Sequence, residues 1–305
     1  MNNEIISNLK KRKEERLKGV DNSKTKTCLV VQGGGMRASY SMGCLQALEE
    51  LGFNEAFDCV IGSSAGAING AYFLAKQSKV ATEVYSDHIT NHNFINIFRI
   101  KKIMDVNYLI KILSEGKTSL NIKNIIDSRT DLRFSMIHFP SAKEYSISIK
   151  DNPNEIMNLI KASATIPALS NEKILIGNEK YIDGAVVNPI PLKSAIELGY
   201  TDIVVILTRS RLFKRKPSKL LYDFLSLSYF KDWPKESRDD LFKRFSQVND
   251  LYNFIWSHEG DNKSYRILIV APEKDSLAGV ISISKKRVLE NIKRGYNDIF
   301  KIFNK

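Results

Sequence analysis

A chain of 305 residues, 43% of them hydrophobic, has the apolar material for one large buried core, and it carries a formal net charge of +12. No apolar run approaches the roughly 18 residues of a membrane-spanning helix, and Lys10-Lys11-Arg12-Lys13 is not followed by a signal peptide's apolar middle. The three cysteines, Cys28, Cys44 and Cys59, sit in apolar runs; an odd count argues against a disulfide framework and for a reducing, cytoplasmic setting.

Residues 1–26 read as a charged, partly helical lead-in, and the core begins at Thr27. Cys28 to Val31 is a continuous apolar run, as in a strand covered on both faces. It leads through Gln32 into Gly33-Gly34-Gly35, ahead of a helix whose apolar positions Tyr40, Cys44, Ala47, Leu48 and Leu51 keep helical spacing. Three glycines let the backbone take positive φ and approach a ligand with no side chain between. Their N–H groups at a helix N-terminus form a nest for an anion, and Arg37 either holds that loop or adds positive potential. Taken alone, Gly33-x-Gly35-x-x-Ala38 matches the dinucleotide fingerprint nearly as well, with Glu49, Glu50, Glu55 or Asp58 as the acidic ribose partner.

The residues around and after Asp58 point elsewhere. Phe57 to Ile61 is a second strand-like run, and Gly62-Ser63-Ser64-Ala65-Gly66 comes after it. G-x-S-x-G between a strand and a helix puts Ser64 at the apex of a tight turn, its hydroxyl forced out of the sheet. Ala65, Gly66, Ala67, Gly70 and Ala71 are small enough for the helix to lie against the strand. Ser63 would be the nucleophile only if the turn shifted by one residue. In an acyl-transfer enzyme, the anion for the glycine nest is the tetrahedral oxyanion.

Further along, residues 91–120 interleave Phe94, Ile95, Phe98, Met104, Leu109 and Leu113 with Lys and Arg, a composition that walls an acyl pocket or packs a helix over the sheet. Tyr145 to Lys150 alternates as a strand. Ile174-Leu175-Ile176, a Gly177-Asn178 turn and Tyr181-Ile182 form a hairpin that delivers Asp183-Gly184-Ala185. Pro189 and Pro191 set up a helix from Leu192 to Leu198, ended by Gly199, and Ile203 to Leu207 is another covered strand. This alternation implies right-handed crossovers in an α/β fold with a mostly parallel sheet. The basic run Arg209, Arg211, Lys214, Arg215, Lys216 and Lys219 leads into an aromatic stretch from Leu220 through Tyr229-Phe230 to Trp233, which docks on an anionic membrane or packs as an ordinary helix. The last helix repeats Val288, Ile292, Tyr296, Ile299 and Phe303 on one face and docks on the core. Basic residues are spread along the chain without a reading motif, which disfavours nucleic acid as a partner.

In this order, Gly33-Gly34-Gly35-x-Arg37, Gly62-x-Ser64-x-Gly66 and Asp183-Gly184-Ala185 resemble the patatin-like phospholipase family. The resemblance runs from about Cys28 to Leu207 and includes Ala162-Ser163-Ala164-Thr165-Ile166-Pro167 as the segment before the aspartate. Tyr229 to Lys305 is more weakly similar to a bacterial branch of uncharacterised patatin-like proteins. The resemblance implies a three-layer fold over residues 27–208, a mostly parallel central sheet flanked by helices, with residues 209–305 as an extension packed on it. It implies a lipid acyl-ester hydrolase with a Ser-Asp dyad: nucleophile on Ser64, base on Asp183, oxyanion loop on Gly33, Gly34, Gly35 and Met36, and no metal or organic cofactor. The family's loop usually closes with a glycine where this chain has Ala38.

Two alternatives remain open on the residues alone. A Ser…Asp…His order matches the α/β-hydrolase triad, and of the four histidines only His258 comes after Asp183. Its surroundings, Trp256-Ser257-His258-Glu259-Gly260, read as a polar helix end. His88 and His92 stand four apart without a third ligand at metal-binding spacing. The other alternative keeps the pocket to hold an acyl chain or an anionic ligand without turnover.

Overall fold

The computed structural model describes residues 3–21, 24–99, 102–167, 169, 172–215, 229–262 and 264–304. Among the described residues nine strands form one sheet: β1 (Thr27–Val31), β2 (Cys59–Ser63), β3 (Asp131–Phe139), β4 (Glu144–Ser148), β5 (Ile174–Ile176), β6 (Glu179–Asp183), β7 (Asp202–Ile206), β8 (Gly260–Asp261) and β9 (Arg266–Val270). Their order is β5-β6-β3-β2-β1-β7-β9-β8, with β4 also paired to β3. β3, β2, β1, β7 and β9 run parallel, and the pairs β3–β4, β3–β6, β5–β6 and β8–β9 are antiparallel.

Every residue of β1, β2 and β7 is buried, because helices cover both faces. On one face Leu29, Val31, Val60, Val204 and Ile206 join a core with helix α2 (Ser39–Glu50), helix α3 (Ala65–Leu74) and the C-terminal helix Lys285–Phe303. On the other, Cys28, Val30, Ile61, Ile203 and Val205 pack against helices Leu192–Glu197 and Val248–Ser257. The alternation of side chains along each strand therefore produces the three layers. All three cysteines are buried and free. Val288, Ile299 and Phe303 of the C-terminal helix are buried, as the spacing required.

The N-terminal lead-in is a helix, α1 (Asn3–Leu17), and it belongs to the core: Ile5 and Leu9 are buried in it. Its buried Arg12 and Arg16 both bond to Asp58, and Arg16 also donates to the Phe57 carbonyl at 2.8 Å. Asp58 accepts from the Thr27 amide at 2.8 Å as well, so this carboxylate is committed to joining α1 to the sheet and is not available to a ribose.

The strand expected over Phe57 to Ile61 forms two residues later, which brings Gly62 and Ser63 into the ladder. Of the basic and aromatic stretch at 209–233, Lys216, Lys219 and Leu220 through Leu225 lie outside the described residues. Tyr229, Phe230 and Trp233 are buried against Ile137 and Ile182, so this end of the stretch packs inward. Among the described residues no helix is long and apolar enough to cross a membrane.

Candidate active site

β2 ends at Ser63 and α3 starts at Ala65, so Ser64 makes the turn alone, with φ 55° and ψ −136°. A non-glycine residue in such a conformation costs about 1–3 kcal/mol and is held there by its surroundings. Gly66 supplies that hold: a Cβ on it would stand 2.3 Å from the Val31 carbonyl oxygen, so the start of α3 lies directly on the end of β1. Gly62 abuts Ala67 in the same way. Ser64 is buried, and its carbonyl accepts from the Ala67 amide at 2.9 Å and the Ser163 hydroxyl at 3.3 Å. Ser63 turns to the opposite side, its hydroxyl donating to the Asn188 carbonyl at 3.3 Å.

Asp183 reaches Ser64 through β3. One edge of β3 is taken by β4 along Arg133–Ile137, so β2 and β6 share the other edge. Ser63 faces Ser135 and Asp183 faces Met136, consecutive residues, which means β2 and β6 meet with their C-terminal ends head to head. Gly184 closes the junction; a Cβ there would lie 2.4 Å from the Ser135 carbonyl oxygen. The segment Ala162 to Pro167 runs between the two groups, since the Asp183 amide donates to the Thr165 carbonyl at 3.3 Å while Ser163 holds Ser64.

The Asp183 side chain is fully buried. Its Oδ1 accepts from the Ala185 amide at 2.8 Å, and Oδ2 has no hydrogen-bond partner. Burial raises its pKa from 3.8 to about 7, with the Ala185 amide and then the nearby Ser64 hydroxyl pulling the other way. No hydrogen bond within 3.5 Å joins the two side chains, so the serine and the carboxylate are neighbours with an open acceptor between them.

The glycine loop lies against the serine. A Cβ on Gly33 would sit 2.2 Å from the Ser63 oxygen and 2.7 Å from Ser64 Cβ, so only glycine permits this approach. Gly34 and Gly35 have φ of 137° and 55°, and their amides find no acceptor among the described residues. Met36, expected among the oxyanion donors, is a correction: its amide donates to the Val280 carbonyl at 3.0 Å and is already spent. The loop after β9 therefore anchors the glycine turn, a contact for which the sequence carries no signal. Arg37 holds the loop from beneath, its guanidinium under Gly34 and its Nε donating to Thr208 Oγ1 at 3.3 Å; Thr208 in turn bonds the Gly33 carbonyl at 3.0 Å. Burial, and then the neighbouring Arg209, lower the Arg37 pKa to about 10. Ala38 has φ −67° and ψ −2°, an ordinary helical conformation in which alanine carries no strain.

Two cavities meet at Ser64. The larger, about 430 Å³, is lined by Asp183, Gly33, Gly34, Gly35, Arg37 and Ala185, and also by Arg209, Phe213, Arg215 and Phe245. The smaller is a slot of about 50 Å³ walled by apolar side chains that include Ile68, Tyr72, Phe94, Met104, Leu109 and Leu113. Of the stretch expected to form an acyl pocket, Phe94, Met104, Leu109 and Leu113 line this slot, whereas Ile97 and Phe98 are exposed.

His258 lines neither cavity. Helix Val248–Ser257 begins beside the larger cavity, where Val248 and Tyr252 line it, and descends to His258 next to β8. β8 pairs with Arg266 and Ile267 at the start of β9, the end of the parallel strands opposite Ser64. The His258 Nδ1 is engaged with the Phe254 carbonyl at 2.8 Å. The triad alternative is thereby corrected: the helix that bears this histidine carries it to the wrong edge of the sheet.

The fold and site define an α/β protein with a strained serine and a buried carboxyl group at the carboxyl edge of its parallel strands. Residues 29–196 match the family model described as Patatin-like phospholipase, and the chain belongs to that family. Uncharacterized protein YjjU from Escherichia coli (strain K12) is 26% identical over 80% of this chain and 64% of its own length. Patatin-like phospholipase domain-containing protein 7 from Rattus norvegicus is 26% identical over 60% of this chain and 14% of its own length. The chain thus spans less than two thirds of either relative. Among solved structures, VipD from Legionella pneumophila shares the fold, with a TM-score of 0.50 at 11% identity over 92% of this chain and 67% of VipD.

Proposed function

We propose that this chain hydrolyses acyl esters of lipids through a Ser64–Asp183 dyad, with the amides of the Gly33–Gly35 turn receiving the oxyanion. One observation carries the reading: a buried carboxyl group with an unpartnered oxygen and a pKa near neutrality shares a cavity with a strained serine. Ser64 Oγ attacks the ester carbonyl carbon while its proton passes to Asp183. Charge moves to the carbonyl oxygen, where each amide donor contributes about 3 kcal/mol. Collapse of the tetrahedral adduct breaks the bond to the alcohol, which leaves with the proton held by Asp183. Water then attacks the acyl-serine by the same exchange and frees the acid.

The acyl chain enters the apolar slot and the alcohol portion occupies the larger cavity. On the loop that borders this cavity, Leu212 is 87% exposed between Arg211 and Lys214, a pairing that suits brief, salt-sensitive contact with an anionic bilayer.

The test is labelling with a fluorophosphonate together with hydrolysis of p-nitrophenyl butyrate. Wild type is expected to label and turn over, Ser64→Ala to do neither, and Asp183→Asn to lose at least about a thousandfold in kcat. Labelling that survives in Ser64→Ala, or full turnover in Asp183→Asn, overturns the dyad. Acyl-chain binding with no turnover in wild type would favour the non-catalytic alternative.

A further inference from the structure

The larger cavity is positively charged. Among the described residues its charged lining consists of Arg37, Arg209, Arg215 and Asp183, and Tyr252 is the remaining titratable group on its wall. Arg37 belongs to the glycine loop, as its bond to Thr208 shows. Among the described residues neither Arg209 nor Arg215 bonds to that loop. Arg209 lies over the Phe213 ring at 4.2 Å and pairs with Asp275 at 3.5 Å, while its Nε is buried without a partner among the described residues. Arg215 lies over the Phe245 ring at 4.0 Å and pairs with no carboxylate among the described residues. Its backbone is clamped by one side chain: Asn249 accepts from the Arg215 amide at 2.8 Å and donates to its carbonyl at 2.8 Å.

Stacking on an aromatic face fixes a guanidinium's plane and leaves its N–H edge directed sideways, already ordered for a forked acceptor. Holding two such cations together, half-buried, is unfavourable; burial, with the charge of Arg209, weakens the Arg215 guanidinium's hold on its proton. A dianion with three oxygens offsets both costs, because each guanidinium can bind it through two hydrogen bonds. A zwitterionic phosphodiester, with one negative charge and two free oxygens, offsets less, and a neutral group offsets neither. Both arginines come after β7, whose neighbour β1 carries the glycine loop, and both line the cavity assigned to the ester's alcohol portion.

We infer that Arg209 and Arg215 form a phosphate subsite, selecting esters whose alcohol portion ends in a phosphomonoester over those with zwitterionic or neutral ends. This rests on the hydrolase reading for its kinetic consequence, though the binding itself does not.

The kinetic test compares oleoyl glycerol 3-phosphate, oleoyl glycerophosphocholine and mono-oleoylglycerol. Wild type is expected to prefer the phosphomonoester by about tenfold or more in kcat/KM. In Arg209→Gln/Arg215→Gln that preference collapses through a raised KM for the phosphomonoester. Arg294→Gln, on the C-terminal helix, paired with Glu290 at 3.3 Å and lining neither cavity at Ser64, retains it. Equal use of all three esters by wild type, or a preference that persists in the double variant, overturns the subsite.

Calorimetry separates this from failure of the hydrolase reading. Ser64→Ala is titrated with oleoyl glycerol 3-phosphate and with glycerol 3-phosphate, then again with Arg209→Gln/Arg215→Gln added. If wild type cleaves no ester, binding that vanishes with the two arginines still upholds the subsite, and absence of binding by both ligands overturns it. Binding of glycerol 3-phosphate as tight as that of the oleoyl ester identifies a soluble phosphate ester as the source; binding of the oleoyl ester alone identifies a lipid headgroup. Either pattern, abolished by the arginine changes, supports the inference.

Discussion

Asp183→Asn is expected to make the protein more stable at pH 8 than wild type while removing its activity. The folded-state pKa of Asp183 is about 7 against a reference of 3.8, so the folded protein binds this proton more tightly than the unfolded chain does. Stability from the protonated carboxyl is therefore complete below about pH 4 and is lost as pH rises toward 7. At 1.36 kcal/mol per unit, the ionised group costs about 4 kcal/mol above pH 7, of which about 3 kcal/mol accrues between pH 5 and pH 8.

Asparagine keeps the acceptor for the Ala185 amide, but its NH2 group takes the place of the unpartnered Oδ2, at a cost of about 1–3 kcal/mol that does not depend on pH. The diagnostic quantity is thus the change in stability difference with pH, not its value at one pH. Urea unfolding of both proteins at pH 5, 6, 7 and 8, with equal m-values, measures it. A difference between variant and wild type that stays constant across this range would show that Asp183 does not titrate near neutrality, and the assignment of a basic carboxylate would fail with it.

The same geometry sets three other outcomes. kcat/KM for a neutral ester is expected to rise with pH through an apparent pKa of about 7 and level off above it, as Asp183 ionises; a profile flat from pH 5 to pH 8 removes Asp183 as the base. Ser64→Gly relieves a residue at φ 55° and is expected to gain about 1 kcal/mol in urea unfolding after the added chain entropy is subtracted, whereas Ser64→Ala gains nothing; equal stabilities for the two would show that the turn is unstrained. Ala81→Leu adds bulk to an apolar slot of about 50 Å³ and is expected to depress kcat/KM for decanoate relative to acetate esters by about tenfold. An unchanged chain-length ratio would place the acyl chain elsewhere.

The elements legible in the sequence are those with a local signature. G-x-S-x-G specifies the Ser64 turn because small residues are needed wherever α3 touches β1, and the Gly177 hairpin delivering Asp183 is read from its turn chemistry. β3 carries no such signature, because Arg133, Ser135 and His138 interrupt its apolar run in a strand that is only partly covered. The commitment of the Met36 amide to Val280, and the stacking of Arg209 and Arg215 on Phe213 and Phe245, bring together residues that no local pattern links. Composition marks those arginines as basic, but no spacing rule places them beside Ser64.

β3 also accounts for the raised pKa of Asp183. Among the causes that set the pKa of Asp183, burial is the largest and no charged side chain contributes. That burial comes from topology: β2 and β6 end against each other on one edge of β3, so the last side chain of β6 is enclosed where the two ladders stop. The same junction sets Ser64, just past the end of β2, on the wall of the cavity. A carboxyl group of raised pKa and a serine on the cavity wall are thus two consequences of one strand arrangement, and in the proposed dyad the energy of enclosing Asp183 reappears as its affinity for the serine proton. A histidine would add a second base only by crossing the sheet, where the helix bearing His258 does not take it.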